Sequence, residues 1–285
     1  MVPRGRGLVV GCVLQLAPVL GLLDKLPKNA DTLILNIGSN RDAVMPINEK
    51  TTNRNTVAVA IEPIVPHLTA VDVEHRFPNA LGKQFFIVPA AVSATDGLAM
   101  MEVTGRSSHW AGSTSSLSPV ADNTSVANAR SPTGLKKAGG ALKVVPVLGM
   151  RTVLDAIPSS IALALLFTDM QGHDFEALRG AGEALQRAEF VKAETTISRN
   201  NYAGVNNSFC IHLLPYMDSI GFELVGVIID NIRFDAQTAR RHCRHAVEKW
   251  PGTKECDEGD GYFASPRRRR PRPPVRQEVW AWPDV

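Results

Sequence analysis

Thr168-Asp169-Met170-Gln171-Gly172-His173-Asp174-Phe175-Glu176-Ala177-Leu178-Arg179-Gly180-Ala181 follows directly on the apolar run Ile161 to Phe167. A continuous apolar run of that length reads as a buried strand. After it come an acid, a glycine turn, and Phe175, Leu178, Ala181 and Leu185 at helical spacing, which predicts an amphipathic helix. Strand, acid, glycine turn, helix is the order in which an open α/β sheet builds a ligand site at the carboxyl ends of its strands.

Working outward, the same alternation continues on both sides. Thr32 to Ile37 is a short apolar run stopped by Gly38-Ser39-Asn40, and Val57 to Ile61 is a second, ending in Glu62-Pro63. Ile64, Leu68 and Val71 then fall at helical spacing, and Phe85 to Val88 gives a third strand. Leu98 to Val103 reads as a short extra strand after the Thr95-Asp96-Gly97 turn, Leu142 to Val147 as a further ordered run, and Thr152 to Ala156 as a helix. Downstream, Ala188 to Thr196 is a strand with Glu194 toward its end, Ser208 to Ile220 a helix, and Phe222 to Ile229 a strand. Tyr262-Phe263-Ala264 is expected to add an antiparallel edge strand. Strands alternating with helices predict an α/β fold, a mainly parallel sheet with helices on both faces. Between Gly105 and Gly140 the chain is rich in Ser, Gly, Ala and Asn without periodicity, and is expected to be a long loop that carries substrate specificity.

With 285 residues, 44% hydrophobic and 21% charged, the chain can bury one sizeable core. One domain over residues 31–265 is expected, with an apolar segment at 1–30 and a basic Pro- and Arg-rich tail at 266–285. Much of the net charge of +3 sits in Arg267-Arg268-Arg269-Arg270-Pro271-Arg272, so the body is near neutral and nucleic acid is not expected as a partner. That tail reads as solvated, or as a contact for RNA or an anionic membrane. Cys12, Cys210, Cys243 and Cys256 form no short-spaced pair, so reduced, buried thiols and no metal centre are expected. His242-Cys243-Arg244-His245 holds three possible ligands but has no partner cluster. Arg4 and Arg6 before the apolar Gly7 to Leu23 leave two readings open. One is a signal or anchor with membrane contact; the other is a packing helix, favoured by the interruptions at Gln15 and Pro18 and by a length marginal against the ~20 residues a bilayer takes. The compartment stays open with it, cytoplasmic or secretory.

The loop Asn36-Ile37-Gly38-Ser39-Asn40 has one glycine where a dinucleotide fingerprint needs three, and no P-loop lysine, which disfavours NAD and nucleoside triphosphates. A single glycine still admits close backbone approach by a ligand lacking a pyrophosphate. Glu62, ending the second strand, stands where such folds hydrogen-bond the hydroxyls of a ribose, although acids at strand ends also cap helices. One small turn plus one acid suits an adenosine ligand without phosphates, such as S-adenosylmethionine.

Taken in order, several segments resemble the FkbM-type S-adenosylmethionine-dependent methyltransferases. They are Leu35 to Asn40, Ala60-Ile61-Glu62-Pro63, Ala90-Ala91-Val92-Ser93 with Gly97, Ser115-Ser116-Leu117, Val145-Pro146-Val147 with Thr152 to Asp155, Asp169 to Ala181, and Ala193-Glu194. The resemblance covers about Asp31 to Ile229 and implies a class I methyltransferase, Rossmann-like fold of seven strands with the last antiparallel. It implies O-methylation of a small-molecule or carbohydrate hydroxyl, with the cofactor held by Asn36, Gly38, Ser39, Asn40 and Glu62 and lined by Asp169. Two positions depart from the pattern: Phe167 stands where the block commonly begins with Lys, and Gln171 where Glu precedes the glycine. Those departures motivate a second reading, a non-catalytic binding module that keeps the fold.

Methyl transfer to a hydroxyl needs in-line alignment and a proton acceptor. Asp169, His173, Glu194 and His109 are the candidates. Asp169 and Glu194 end neighbouring strands, where they either face the cleft or cap and bind water. His173 lies in the first turn of its helix, where the dipole disfavours the imidazolium, and His109 precedes Trp110 in the long loop.

Overall fold

The computed structural model describes residues 26–38, 55–64, 84–103, 116–118, 141–197, 206–229, 232–244 and 258–267, together with residue 21. In chain order these form β1 (Thr32–Ile37), β2 (Thr56–Ile61), β3 (Phe85–Val88), β4 (Ala91–Ser93), β5 (Gly97–Val103), β6 (Ser116–Ser118) and β7 (Ala141–Gly149). Then come α1 (Met150–Ala156), β8 (Ala162–Thr168) and α2 (Asp174–Ala181), which tightens into a 3-10 turn over Gly182–Arg187. β9 (Ala188–Thr196) follows, then a π-helical turn, Phe209–Leu213, that opens α3 (Leu214–Ser219). β10 (Glu223–Ile229), β11 (Ile232–Asp235), α4 (Ala236–Arg244) and β12 (Glu258–Ala264) close the chain.

The main sheet has eight strands in the order β11-β10-β12-β9-β8-β1-β2-β3. β3, β2, β1, β8 and β9 are mutually parallel, whereas β12 runs antiparallel to both β9 and β10, and β11 antiparallel to β10. The chain enters at the centre, works out through β2 and β3, and returns to β8 on the other side of β1. The order therefore reverses between β1 and β8, which is where Rossmann-like sheets open a crevice. This corrects the expectation of a mainly parallel seven-stranded sheet: it is mixed, has eight strands, and its edge is β11. β12 is an inner strand. Tyr262, Phe263 and Ala264 are buried because strands flank them on both sides. Its first half, Glu258-Gly259-Asp260-Gly261, has turn composition, which hides a strand that neighbouring ladders impose.

A second sheet, β4-β7-β5-β6, has its own small core of Ile64, Ala91, Ala99, Met101, Val145 and Val147. α2 rests directly on it: a side chain at Gly180 would meet the Ala94 backbone at 2.4 Å, so only glycine lets the two elements close.

Alternation along each strand divides the main sheet into two faces. Leu33, Leu35, Ile37, Val59, Ile61, Leu163, Leu166, Val191, Ala193 and Phe263 point to one, where they form a single core with Val153 and Leu154 of α1, Leu178 and Ala181 of α2, Met217 of α3 and Ala239 of α4. All four described α-helices thus pack on this face. The segments 39–54 and 65–83, with Ser39, Asn40 and the expected helix through Leu68 and Val71, lie outside the described residues. So do His109, the rest of the Gly105 to Gly140 loop apart from Ser116–Ser118, and the residues beyond 267. Among the described residues no helix is long and apolar enough to cross a membrane.

The expectation of reduced thiols is overturned at one pair. Cys210 in the π-helical turn and Cys243 in α4 form a disulfide. They are 33 residues apart, so no short spacing marks them; the β10–β11 hairpin folds α4 back beside α3. A paired Asp218–Arg240 contact, two bonds of 2.6 Å, joins the same two helices. Cys243 is therefore not a metal ligand, and His242 lies edge-on to Phe234.

Candidate functional site

The ladders run one step past the strand ends at the switch point. Gly38 N–H donates to Ile61 O and Asp169 N–H to Ile37 O, both at 2.9 Å, and Glu62 N–H donates to Val88 O at 3.0 Å. With Ile37 paired to both Ile61 and Thr168, Thr168 to Ala193, and Glu194 to Asp260, one level row runs across five adjacent strands. The row is Glu62, Gly38, Asp169, Glu194, Asp260. Four sequence candidates from distant segments stand in it, and Asp260 joins them unforeseen. Alternation turns the row away from the helix-covered face, to the side on which Asn36, Phe167, Lys192 and Tyr262 also lie.

Gly38 has φ +74°, and a Cβ there would sit 1.9 Å from the Asp169 carbonyl oxygen. The glycine expected to admit a ligand thus first admits the chain's own β8 loop, locking the two sides of the switch point together. Asn36, next on the same face, is 2% exposed. Glu62 is also buried, and its Oε1 accepts the Ile64 N–H at 2.9 Å, so it does stabilise the turn after β2.

In the Asp169 to Asp174 turn, Gln171 (φ 53°) and Gly172 (φ 93°) are both left-handed, a conformation rare for a residue with a side chain. It lets the Gln171 amide donate to Asp169 Oδ1 at 3.0 Å. A glutamate there would set two carboxylates against each other. Asp174 is completely buried and accepts the Met170 N–H with both oxygens, at 3.3 and 3.2 Å. Burial, reinforced by the Asp169 charge, pushes its carboxyl up to about 7.

His173 occupies the N-cap of α2 without a side-chain capping bond; the structure uses its backbone, which accepts the Ala177 N–H at 3.0 Å. The capping side chain comes from Asn207, 1% exposed, whose Oδ1 accepts the Phe175 N–H at 3.1 Å while its Nδ2 donates to Glu194 O at 3.3 Å. Asn207 thereby ties the start of α2 to the end of β9. It falls in the stretch Asn206-Asn207-Ser208, but nothing in its composition predicts that link.

Beneath the row, Lys192 pairs across the strands with Phe167 on one side and Tyr262 on the other. Its ammonium lies 4.3 Å from the Phe167 ring centre and 5.7 Å from that of Tyr262, and 3.0 Å from Asp260 Oδ2. The cation missing at position 167 is thus present on the next strand, over the ring of Phe167. Burial raises the Asp260 carboxyl, Lys192 draws it back, and Asp169 adds a smaller push upward. Among the described residues no group of three or more His, Cys, Asp or Glu is placed to hold a metal ion.

No protein-family model matches the chain, and neither does any curated protein. Among solved structures it is similar to a methyltransferase FkbM from Methylobacillus flagellatus KT, with 10% identity and a TM-score of 0.43, covering 88% of this chain and 59% of that one. This chain thus spans less than two thirds of that protein's length.

Proposed function

We propose that the chain is an S-adenosylmethionine-dependent methyltransferase acting on a hydroxyl of a small molecule or a carbohydrate. The observation that carries this reading is the level row of carboxylates, Glu62, Asp169, Glu194 and Asp260, at the carboxyl edge of the sheet across its switch point. Such a row attracts a sulfonium cation and repels the pyrophosphate of a dinucleotide. Within it, Glu62 is the acid for the ribose hydroxyls, Asn36 and Gly38 form the floor, and Asp169 lines the sulfonium side. When bound, the donor supplies an electrophilic methyl group. The strand order supports the same reading, because the last strand in the chain, β12, is antiparallel and inserted beside the fifth strand of the parallel set.

A second reading, a binding module without catalysis, is favoured by Glu62, whose Oε1 is engaged by the Ile64 N–H. Calorimetric titration of the full chain with S-adenosylmethionine, S-adenosylhomocysteine and NAD is the first test. Saturable binding of the two adenosyl ligands and not of NAD is expected. Binding of NAD alone, or of none of the three, would overturn the donor assignment. Tritium transfer from labelled donor to a panel of neutral sugars and phenols then separates enzyme from binding module.

A further inference from the structure

We propose that Asp260 is the group that takes the acceptor's proton, with Lys192 as its positioning residue. This rests on the methyl-donor reading above.

The geometry begins with distance. The switch point, where Gly38 meets Asp169, is the donor's place. Asp260 is level with Asp169 but two strands further along the sheet, roughly 10 Å at ~4.8 Å per strand. A reacting pair about 3 to 3.5 Å apart and a hydrogen bond of about 2.6 to 3.2 Å to the base together need roughly 6 Å, to which the carbon–sulfur bond adds the rest. A base at Asp260 leaves that room; a base at Asp169 would share the donor's own space.

Two other acids of the row have structural duties. Glu62 accepts the Ile64 N–H, and Asp169 accepts the Gln171 amide on a backbone locked against Gly38. Glu194 flanks Asp260 on β9, and its peptide carbonyl is braced by Asn207. Asp260 is held at Oδ2 by a lysine whose ammonium also lies against the rings of Phe167 and Tyr262.

That pair is poorly explained by stability. The Lys192 and Asp260 side chains are only 17% and 21% exposed, and an ion pair withdrawn from water to this degree is commonly no more stabilising than an apolar pair of the same size. What the lysine does accomplish is to draw the Asp260 carboxyl back down against the rise that burial causes, the balance a general base requires. The charged and titratable groups facing Asp260 are Lys192 and Glu194 on β9, Asp169 beyond them, Tyr262 on its own strand, and Arg233, which pairs with Ile228 next to it.

In the step, the acceptor oxygen bonds to the methyl carbon as the carbon–sulfur bond breaks. The bonding pair stays on sulfur, which becomes a neutral thioether, and the hydroxyl proton passes to the Asp260 carboxylate. The lysine remains protonated throughout.

The test compares two ligands by calorimetry on the full chain. Sinefungin carries an ammonium-bearing carbon where the donor has its methyl sulfonium; S-adenosylhomocysteine has only an uncharged thioether sulfur there. The wild type is expected to prefer sinefungin at neutral pH and to lose that preference as pH falls through the Asp260 titration. Asp260→Asn should weaken sinefungin at least tenfold while changing S-adenosylhomocysteine less than twofold. Lys192→Met should move the midpoint of the pH profile upward by a unit or more, and Lys192→Arg, which keeps the pair, should restore it. Equal losses for both ligands in Asp260→Asn, or a sinefungin preference independent of pH and of Lys192→Met, overturn the assignment while leaving the donor reading intact. A wild type that binds neither ligand removes the donor reading, and this proposal with it. If Asp260→Asn does not fold, the wild-type pH profile and the two lysine variants still decide the matter.

Discussion

Glu62 serves both readings of a strand-end acid at once: one oxygen closes the turn to Ile64, and the residue stands level with Gly38 at the mouth of the crevice. If it also holds the ribose, Glu62→Ala should lower S-adenosylmethionine affinity by about 1 to 3 kcal/mol, read by the same calorimetry. Unchanged affinity alongside a lowered melting temperature would reduce Glu62 to the turn alone. Asp174 makes a prediction of a different kind. Its carboxyl has an ordinary value of 3.8 in the unfolded chain and about 7 in the fold, so between those values the folded state holds the proton more tightly. Its contribution to stability is therefore fully present below the unfolded value and is lost as pH rises through about 7. Asp174→Asn keeps an acceptor for the Met170 N–H and cannot ionise. Urea denaturation at several pH values should show this variant gaining on the wild type steadily from pH 4 to 7. Parallel curves would mean that Asp174 does not titrate in that window.

At the scale of elements, the end of β9 and the start of α2 are tied together by one buried amide, that of Asn207. Asn207→Ala removes the acceptor for the Phe175 N–H and the donor to Glu194 O, leaving both buried backbone groups without that bond. A cost of about 1 to 3 kcal/mol is expected, together with faster hydrogen exchange at the Phe175 amide. The backbone carbonyl of Asn207, which accepts from the Thr195 and Thr196 hydroxyls at 2.6 and 3.0 Å, should keep the end of β9 closed. Exchange at Phe175 that matches the wild type would show that α2 does not depend on this cap. β2, β3 and β8 were legible in the sequence because buried parallel strands are nearly unbroken apolar runs. β11 and the first half of β12 were not, since a four-residue edge strand and the turn-like Glu258 to Gly261 carry no such run. The 208–220 helix was legible in extent but not in winding: Pro215 has no N–H to continue the ladder, and the preceding turn widens instead.

For the whole molecule, sequence order told which acids end strands, but only the assembled register shows that Glu62, Asp169, Glu194 and Asp260 share one row, and that Lys192 lies under it across from Phe167. Long-range pairings also hid the disulfide. Cys210 and Cys243 close a loop of 33 residues, worth about 3 to 4 kcal/mol if the constraint on the unfolded chain is the main effect. Since β10, β11 and α4 lie inside that loop, reduction should loosen the outer end of the sheet and leave the switch point in place. Reduction with dithiothreitol is therefore expected to lower the melting temperature and to speed exchange in β10 and β11 before β1 and β8. A disulfide of this kind persists in oxidising compartments and is rare in reducing ones. The apolar Gly7 to Leu23 behind Arg4 and Arg6 has the charged start and greasy centre of a segment that would deliver the chain to such a compartment. Alkylation of unreduced lysate, followed by mass spectrometry, decides both points together. Cys210 and Cys243 protected in membrane or secretory fractions would support delivery by that segment. The same two cysteines fully alkylated in cells would mean that the pair stays open there, and that the packing-helix reading of the N-terminal segment is the better one.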